Sequence, residues 1–290
     1  MSKASTDFRT IGLLGFGTMG AGIAQIFAAS GRTVIVLETD QQRIDTGLAT
    51  IGTRLEGAGA TEDKTTILGR ITGTTSVADL AGVDVVLESV TENIEVKKSV
   101  LAEVAAVIGD QTPILTNTSA LSVTDLAAGL SNPARVAGLH FFNPAPETRM
   151  VEVVRAMETG EDLIEQLVAL VDALADKVAV VVEDRPGFLI NSMLLPYLND
   201  VIQEYDDGLA TAEDIDVALE LGLGYKAGPL KMLDTIGLDV HLYATVAAYE
   251  ATSDARYAPP PLLRQMVASG RLGSKSGHGF RTQQPTDGSY

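Results

Sequence analysis

The chain has 290 residues, 46% of them hydrophobic, with 28 glycines and no cysteine. That is enough to bury a sizeable core in one large or two ordinary domains, and it rules out disulfides, thiolate nucleophiles and cysteine metal sites. Lys plus Arg number 21 against 38 Asp plus Glu, a net charge of −17 that repels nucleic acid at long range.

From the N-terminus, "MSKASTDFRT" lacks the apolar core of a signal peptide, and no apolar run approaches the roughly 18 residues a membrane helix needs. A cytoplasmic protein without membrane partners is expected. Apolar, β-branched runs then follow at "TIGLLG" (10–15), "TVIVLE" (33–38), "RITGTT" (70–75), "DVVLES" (84–89), "PILTN" (113–117) and "RVAGLH" (135–140). Helical patterns fill the gaps, such as 18–30 stopped by Gly31 and 95–108 before Gly109. Such alternation predicts an α/β domain over 1–184, with a mostly parallel sheet covered on both faces. From "DRPGFLIN" (184–191) strand alternation ends, and an all-α domain is expected over 185–290.

The turn "GFGTMG" follows the first strand and opens a helix. Gly15 permits the tight turn, Gly17 lets backbone amides approach a pyrophosphate, and Gly20 lets helix and strand pack closely. Thr18 and Met19 start the helix, whose amide groups and dipole attract the phosphates, so an acidic protein can still hold an anion. Glu38 ends the next strand where it would bond the adenine ribose hydroxyls and repel a 2′-phosphate, which favours NAD over NADP. Gln41, Gln42 and Arg43 read as too far along the next helix to alter that preference.

Polar residues gather just beyond later strands: Ser89 and Glu92, Asn117 and Ser119, then His140. In a parallel sheet these ends share the carboxyl edge, where open α/β folds bind ligands. Glu152 lies on the strand-like "MVEVV", and if the chain folds back after Asn143-Pro144 its carboxylate meets one ring nitrogen of His140, leaving the other for a substrate. A core histidine and a surface glutamate are the plainer alternatives. His241 reads as a helix-packing residue and His278 as a turn residue. Three well-spaced histidines offer no transition-metal site.

Together "GFGTMGAGIAQIFA", "LESVTENIEVKKSVLAEV", "TNTSALSVTDLA", "GLHFFNPAPETRMVEVV", "DRPGFLINSMLLPYLND", "GLGYKAGPLKMLDTIGLD" and "LGSKSGHGF" resemble the NAD-dependent 3-hydroxyacyl-CoA dehydrogenase family, particularly its short 3-hydroxybutyryl-CoA members. The resemblance implies that the domain over 1–184 is of Rossmann type and binds NAD, followed by a helical domain that dimerises, with active-site positions at Ser119, His140, Glu152 and Asn191, and Glu92, Lys97 and Asn117 near the nicotinamide half of NAD. It also implies an acyl thioester substrate. The stretch "RLEGAGATEDKT" (54–65) falls where relatives bind the CoA nucleotide, and only Arg54 and Lys64 flank it with positive charge. An acyl-carrier-protein thioester is therefore an alternative to CoA. A non-catalytic NAD sensor or structural protein, and a lysine-dependent hydroxy-acid dehydrogenase on the same nucleotide fold, are the other readings.

Overall fold

The computed structural model describes residues 8–57 and 63–281. Its contacts divide the chain between Phe188 and Leu189 into two compact units.

The first unit holds strands β1 (Thr10–Leu14), β2 (Thr33–Leu37), β3 (Ile71–Thr74), β4 (Val85–Glu88), β5 (Ile114–Thr116), β6 (Val136–Phe141), β7 (Met150–Arg155) and β8 (Val178–Glu183). Its helices are α1 (Thr18–Ala29), α2 (Gln41–Gly57), α3 (Lys64–Leu68), α4 (Ile94–Ala105), α5 (Val123–Ala127) and α6 (Glu161–Asp172). The eight strands form one sheet in the order β3-β2-β1-β4-β5-β6-β7-β8. All neighbours are parallel except β6 and β7. The runs "TIGLL", "VVLE" and "VAGLHF" are buried along nearly their whole length, as strands covered on both faces must be. Each fully buried Val, Leu or Ile contributes about 1.5–3 kcal/mol. Two cores result: one packs α1 and α6 against the sheet through Phe27, Ile23, Leu167 and Leu170, and the other packs α4 and α5 through Leu101, Val104, Val123 and Leu126.

The expected alternation ends with one exception to parallel pairing. After β6 the chain turns back through "NPAPETR", with a cis Asn143-Pro144 bond, and β7 runs antiparallel beside it. This reversal needs only a short loop, whereas a parallel neighbour needs a crossover. Gly138 makes the pairing possible, since a Cβ there would lie 2.6 Å from Val154 Cβ. Lys177, 7% exposed, holds the returning loop by donating to the carbonyls of Ala145 (2.7 Å), Pro146 (3.0 Å) and Thr148 (2.7 Å). Its burial pushes the ammonium pKa down.

The second unit is helical: α7 (Ile190–Asp206), α8 (Ala212–Leu223), α9 (Pro229–Ile236), α10 (Leu238–Thr252) and α11 (Pro261–Ala268). Its core is Leu198, Ile202, Leu230, Leu233, Leu238 and Leu263. Two buried aspartates organise it. Asp216 receives the Leu230 and Lys231 amides at the start of α9, and Asp234 receives those of Phe280 and Arg281. No described helix is long and apolar enough to cross a membrane.

Candidate active site

The phosphate-binding turn has the geometry its glycines permit. Gly15 adopts φ +90°, and a Cβ there would lie 2.7 Å from the Ser89 carbonyl. A Cβ at Gly20 would strike the Gly15 carbonyl, whereas Gly17 meets nothing within 4 Å. Gly17 caps α1 without a side-chain bond, so the first-turn amides of Thr18, Met19 and Gly20 face outward unclaimed by a capping side chain. Beside the turn lies a cavity of about 470 Å³, lined by Gly15, Gly17, Glu38, Val77, Ser89 and Val96 among others. Its apolar wall suits an adenine ring, and the glycine turn with its open helix start suits a pyrophosphate. These residues fit an adenine dinucleotide.

Glu38 follows β2 directly and does more than line the cavity. Its Oε1 accepts the Phe16 amide at 2.8 Å and its Oε2 the Thr39 amide at 2.9 Å, so the carboxylate clasps the turn as well as facing the ligand space. Arg43 corrects the sequence reading. It lines the same cavity as Glu38 rather than lying out of reach, with Nε 3.5 Å from Asp40. The first turn of α2 shares the cavity with Leu37 and Glu38 at the end of β2, which a linear distance along a helix does not reveal.

At β6 and β7, His140 and Glu152 are register partners across the antiparallel pair. His140 Nδ1 lies 2.7 Å from Glu152 Oε2, with the residues 5% and 1% exposed. A carboxylate accepts, so Nδ1 carries the proton and Nε2 is left as an acceptor. The imidazole packs against two aromatic rings, with centroids 4.3 Å away for Phe142 and 5.7 Å for Phe188. Phe188 adopts φ +47°, an unusual conformation for a side-chain-bearing residue, after Gly187 at φ +79°. The sequence reading took "RPGF" only as a boundary. The Pro-Gly pair was the signal that the next side chain is turned sharply, here onto His140.

Asn117 and Ser119 lie beyond β5. Asn117 Oδ1 accepts the Phe141 amide at 2.8 Å, which ties this loop to the end of β6 beside His140. The Ser119 amide donates to Glu92 Oε1 at 3.1 Å, and the Thr118 hydroxyl bonds the same oxygen. Asp184 fixes the far end of the loop, accepting from Ser122 Oγ (2.9 Å), Val123 N (3.1 Å) and Thr124 N (2.7 Å). Lys97 is 1% exposed, and its Nζ sits 2.6 Å from the wholly buried Glu88 and 3.2 Å from Glu92. Glu88 was missed because it reads as the last polar residue of an apolar run. Asn191 belongs to the second unit, in the first turn of α7. Among the described residues no group of three or more His, Asp or Glu side chains could hold a metal ion.

Residues 10–185 match the family described as 3-hydroxyacyl-CoA dehydrogenase, NAD binding domain, and residues 187–283 match 3-hydroxyacyl-CoA dehydrogenase, C-terminal domain. The 3-hydroxybutyryl-CoA dehydrogenase of Mycobacterium tuberculosis is 37% identical over 284 residues, 96% of this chain and 99% of that one. The 3-hydroxyadipyl-CoA dehydrogenase of Escherichia coli is 38% identical over 280 residues, 94% of this chain and 58% of the other. The crystal structure of (S)-3-hydroxybutyryl-CoA dehydrogenase from Ralstonia eutropha superposes with a TM-score of 0.92 at 37% identity, covering 96% of this chain and 100% of that one. With both of its units matched in order and a dinucleotide cavity beside the glycine turn, the chain belongs to the NAD-dependent 3-hydroxyacyl-CoA dehydrogenase family.

Proposed function

We propose that the protein interconverts a 3-hydroxyacyl-CoA and its 3-ketoacyl-CoA, with 3-hydroxybutyryl-CoA as the leading substrate. The observation that carries this reading is the His140–Glu152 pair, an imidazole held in one tautomer by a carboxylate at 2.7 Å. In the oxidising direction His140 Nε2 removes the proton of the C3 hydroxyl, and Glu152 stabilises the imidazolium that results. NAD, when bound, supplies the acceptor for the C3 hydride. In reverse, the protonated ring donates to the oxygen that becomes the alcohol. Ser119 and Asn191 hydrogen-bond the reacting oxygen or the thioester carbonyl, and positioning of this kind contributes several kcal/mol. The open amides of Thr18, Met19 and Gly20 at the start of α1 hold the pyrophosphate, Glu38 the adenine ribose, and Glu92, Lys97 and Asn117 the surroundings of the nicotinamide half.

For the carrier, one cation supports CoA over a carrier protein. Arg54 Nη1 is buried without a hydrogen-bond partner, and the residue lines a groove of about 740 Å³ with Gln25, Pro144 and Pro146. Lys64, the other flanking cation, is paired with Glu56. Ala58, Gly59 and Ala60 of the same loop lie outside the described residues. On this reading the protein is a cytoplasmic homodimer joined through the second unit, where Leu221, Leu223 and Tyr243 are 83%, 64% and 63% exposed.

The test is kcat/KM for a 3-ketobutyryl group on CoA, on pantetheine and on an acyl carrier protein, with NADH and with NADPH. CoA should exceed pantetheine by at least about a hundredfold, roughly 2.7 kcal/mol of binding to the nucleotide handle. NADH should exceed NADPH. A better rate on the carrier protein overturns the carrier assignment, and no turnover of any thioester overturns the function.

A further inference from the structure

Beside the cavity wall formed by Ser89, Val90 and Thr91 lies a group of charges, Glu88, Lys97 and Glu92, whose net charge the proposed proton and hydride transfers do not use. Glu88 is 0% exposed at the end of β4, and Lys97 reaches it from α4 at 1% exposed. The Lys97 ammonium is directed at Glu88 Oε1 (2.6 Å), Glu92 Oε2 (3.2 Å) and the Val90 carbonyl (3.3 Å), which accounts for its three N–H groups. Glu88 accepts, besides, from the Thr116 hydroxyl at 2.7 Å and the Val90 amide at 2.7 Å. Glu92 accepts from Thr118 and the Ser119 amide. Each carboxylate is thus surrounded by donors, and two carboxylates face one ammonium. The sum is one negative charge, fixed at the carboxyl ends of β4 and β5. Only Glu92, with its side chain 32% exposed, carries that charge toward solvent.

We propose that this Glu88–Lys97–Glu92 triad sets the redox poise of the bound cofactor, stabilising the oxidised, cationic nicotinamide over the neutral reduced ring. The inference rests on the cofactor reading above, in which the adenosine half lies by Glu38 and the nicotinamide half by β4 and β5. Hydride addition removes the ring's positive charge, so a fixed negative charge nearby favours the state before addition. Enzyme-bound NADH is thereby made the stronger reductant, and the internal equilibrium leans toward ketone reduction. Glu88 and Lys97 act through Glu92 as positioning residues.

The readout is the ratio of dissociation constants, Kd(NAD⁺)/Kd(NADH), measured by calorimetry with ADP-ribose as the reference for the adenosine half. Glu92→Gln takes the local charge to zero, and the ratio should rise about threefold or more, equivalent to about 14 mV for a two-electron couple. Lys97→Met leaves two carboxylates and should lower the ratio by a similar factor. The double variant Glu88→Gln/Lys97→Met restores a single negative charge and should return the ratio to that of the parent, which a merely structural role would not do. Glu92 is partly exposed, so its variant keeps the test decisive should Lys97→Met not fold. Equal changes in both affinities, with the ratio constant in Glu92→Gln, overturn the poise while leaving the nicotinamide beside the triad. Affinities for NAD⁺ and NADH that move no more than that for ADP-ribose overturn the cofactor reading, and the inference with it.

Discussion

Each unit buries one histidine, and each histidine is held by one side chain. In the first unit His140 faces a carboxylate across two strands, at 2.7 Å from Glu152. In the second, His241 on α10 faces an amide, with Nε2 at 3.0 Å from Asn199 Oδ1. Asn199 is itself committed, donating to Thr245 Oγ1 at 2.7 Å and to the Arg256 carbonyl at 3.4 Å. The difference teaches what burial alone does to an imidazole. Nothing near His241 repays the desolvation of its cation, so burial pushes its pKa down to about 4 and the ring stays neutral as a packing element. His140 is as deeply buried, but its partner is an anion.

The largest effect should come from the proton carrier itself. His140→Gln should retain NADH binding, read by fluorescence titration, while kcat falls by about two to four orders of magnitude. Near-normal turnover would remove His140 from the chemistry. Glu152→Gln comes next, with a loss of about two orders of magnitude or more. The new amide can turn its N–H toward Nδ1 and so hold the ring in the wrong tautomer. A rate within about fivefold of the parent would make Glu152 a structural residue.

The second histidine should appear in stability instead. Its pKa is about 4 folded against an ordinary 6.5, so the unfolded chain binds the proton more readily throughout that window. The contribution is therefore complete above pH 6.5 and is lost as the pH falls toward 4, a total of about 3 kcal/mol. Denaturant unfolding at pH 7.5 and 4.5 measures it, and His241→Gln should flatten this part of the pH dependence. Asn199→Asp makes the two sites formally alike. It should still cost about 1–3 kcal/mol at neutral pH, because the donors to Thr245 and Arg256 are lost. A thermal shift upward would contradict this.

Much of this contrast can be read along the chain. The strands β1 to β6 coincide with apolar runs because a sheet covered on both faces admits little else, and "GFGTMG" before a helix states its own geometry. Glu152 was legible as a carboxylate flanked by apolar residues, a combination that burial must explain. Other features lie between elements rather than within them. The ion pair of Lys97 with Glu88 joins a residue of α4 to the end of β4, a partner that neither run names. Arg43 lines the cavity beside Leu37 and Glu38 because α2 begins at Gln41, soon after β2 ends at Leu37. Phe188 reaches His140 through a left-handed backbone, which a side-chain pattern does not encode.

The antiparallel joint between β6 and β7 also constrains how this chain can change over generations. His140 and Glu152 meet because they are register partners, and neighbouring residues on a strand point to opposite faces. A slip of one position would bring Val151 or Val153 opposite the imidazole and turn the carboxylate to the other side of the sheet. The loop 142–149 can therefore drift in sequence wherever its carbonyls still serve Lys177, but a change in its length survives only if β7 keeps its register. Insertions there should be rarer among descendants than in loops of equal exposure, and those that occur should be bulged out rather than absorbed.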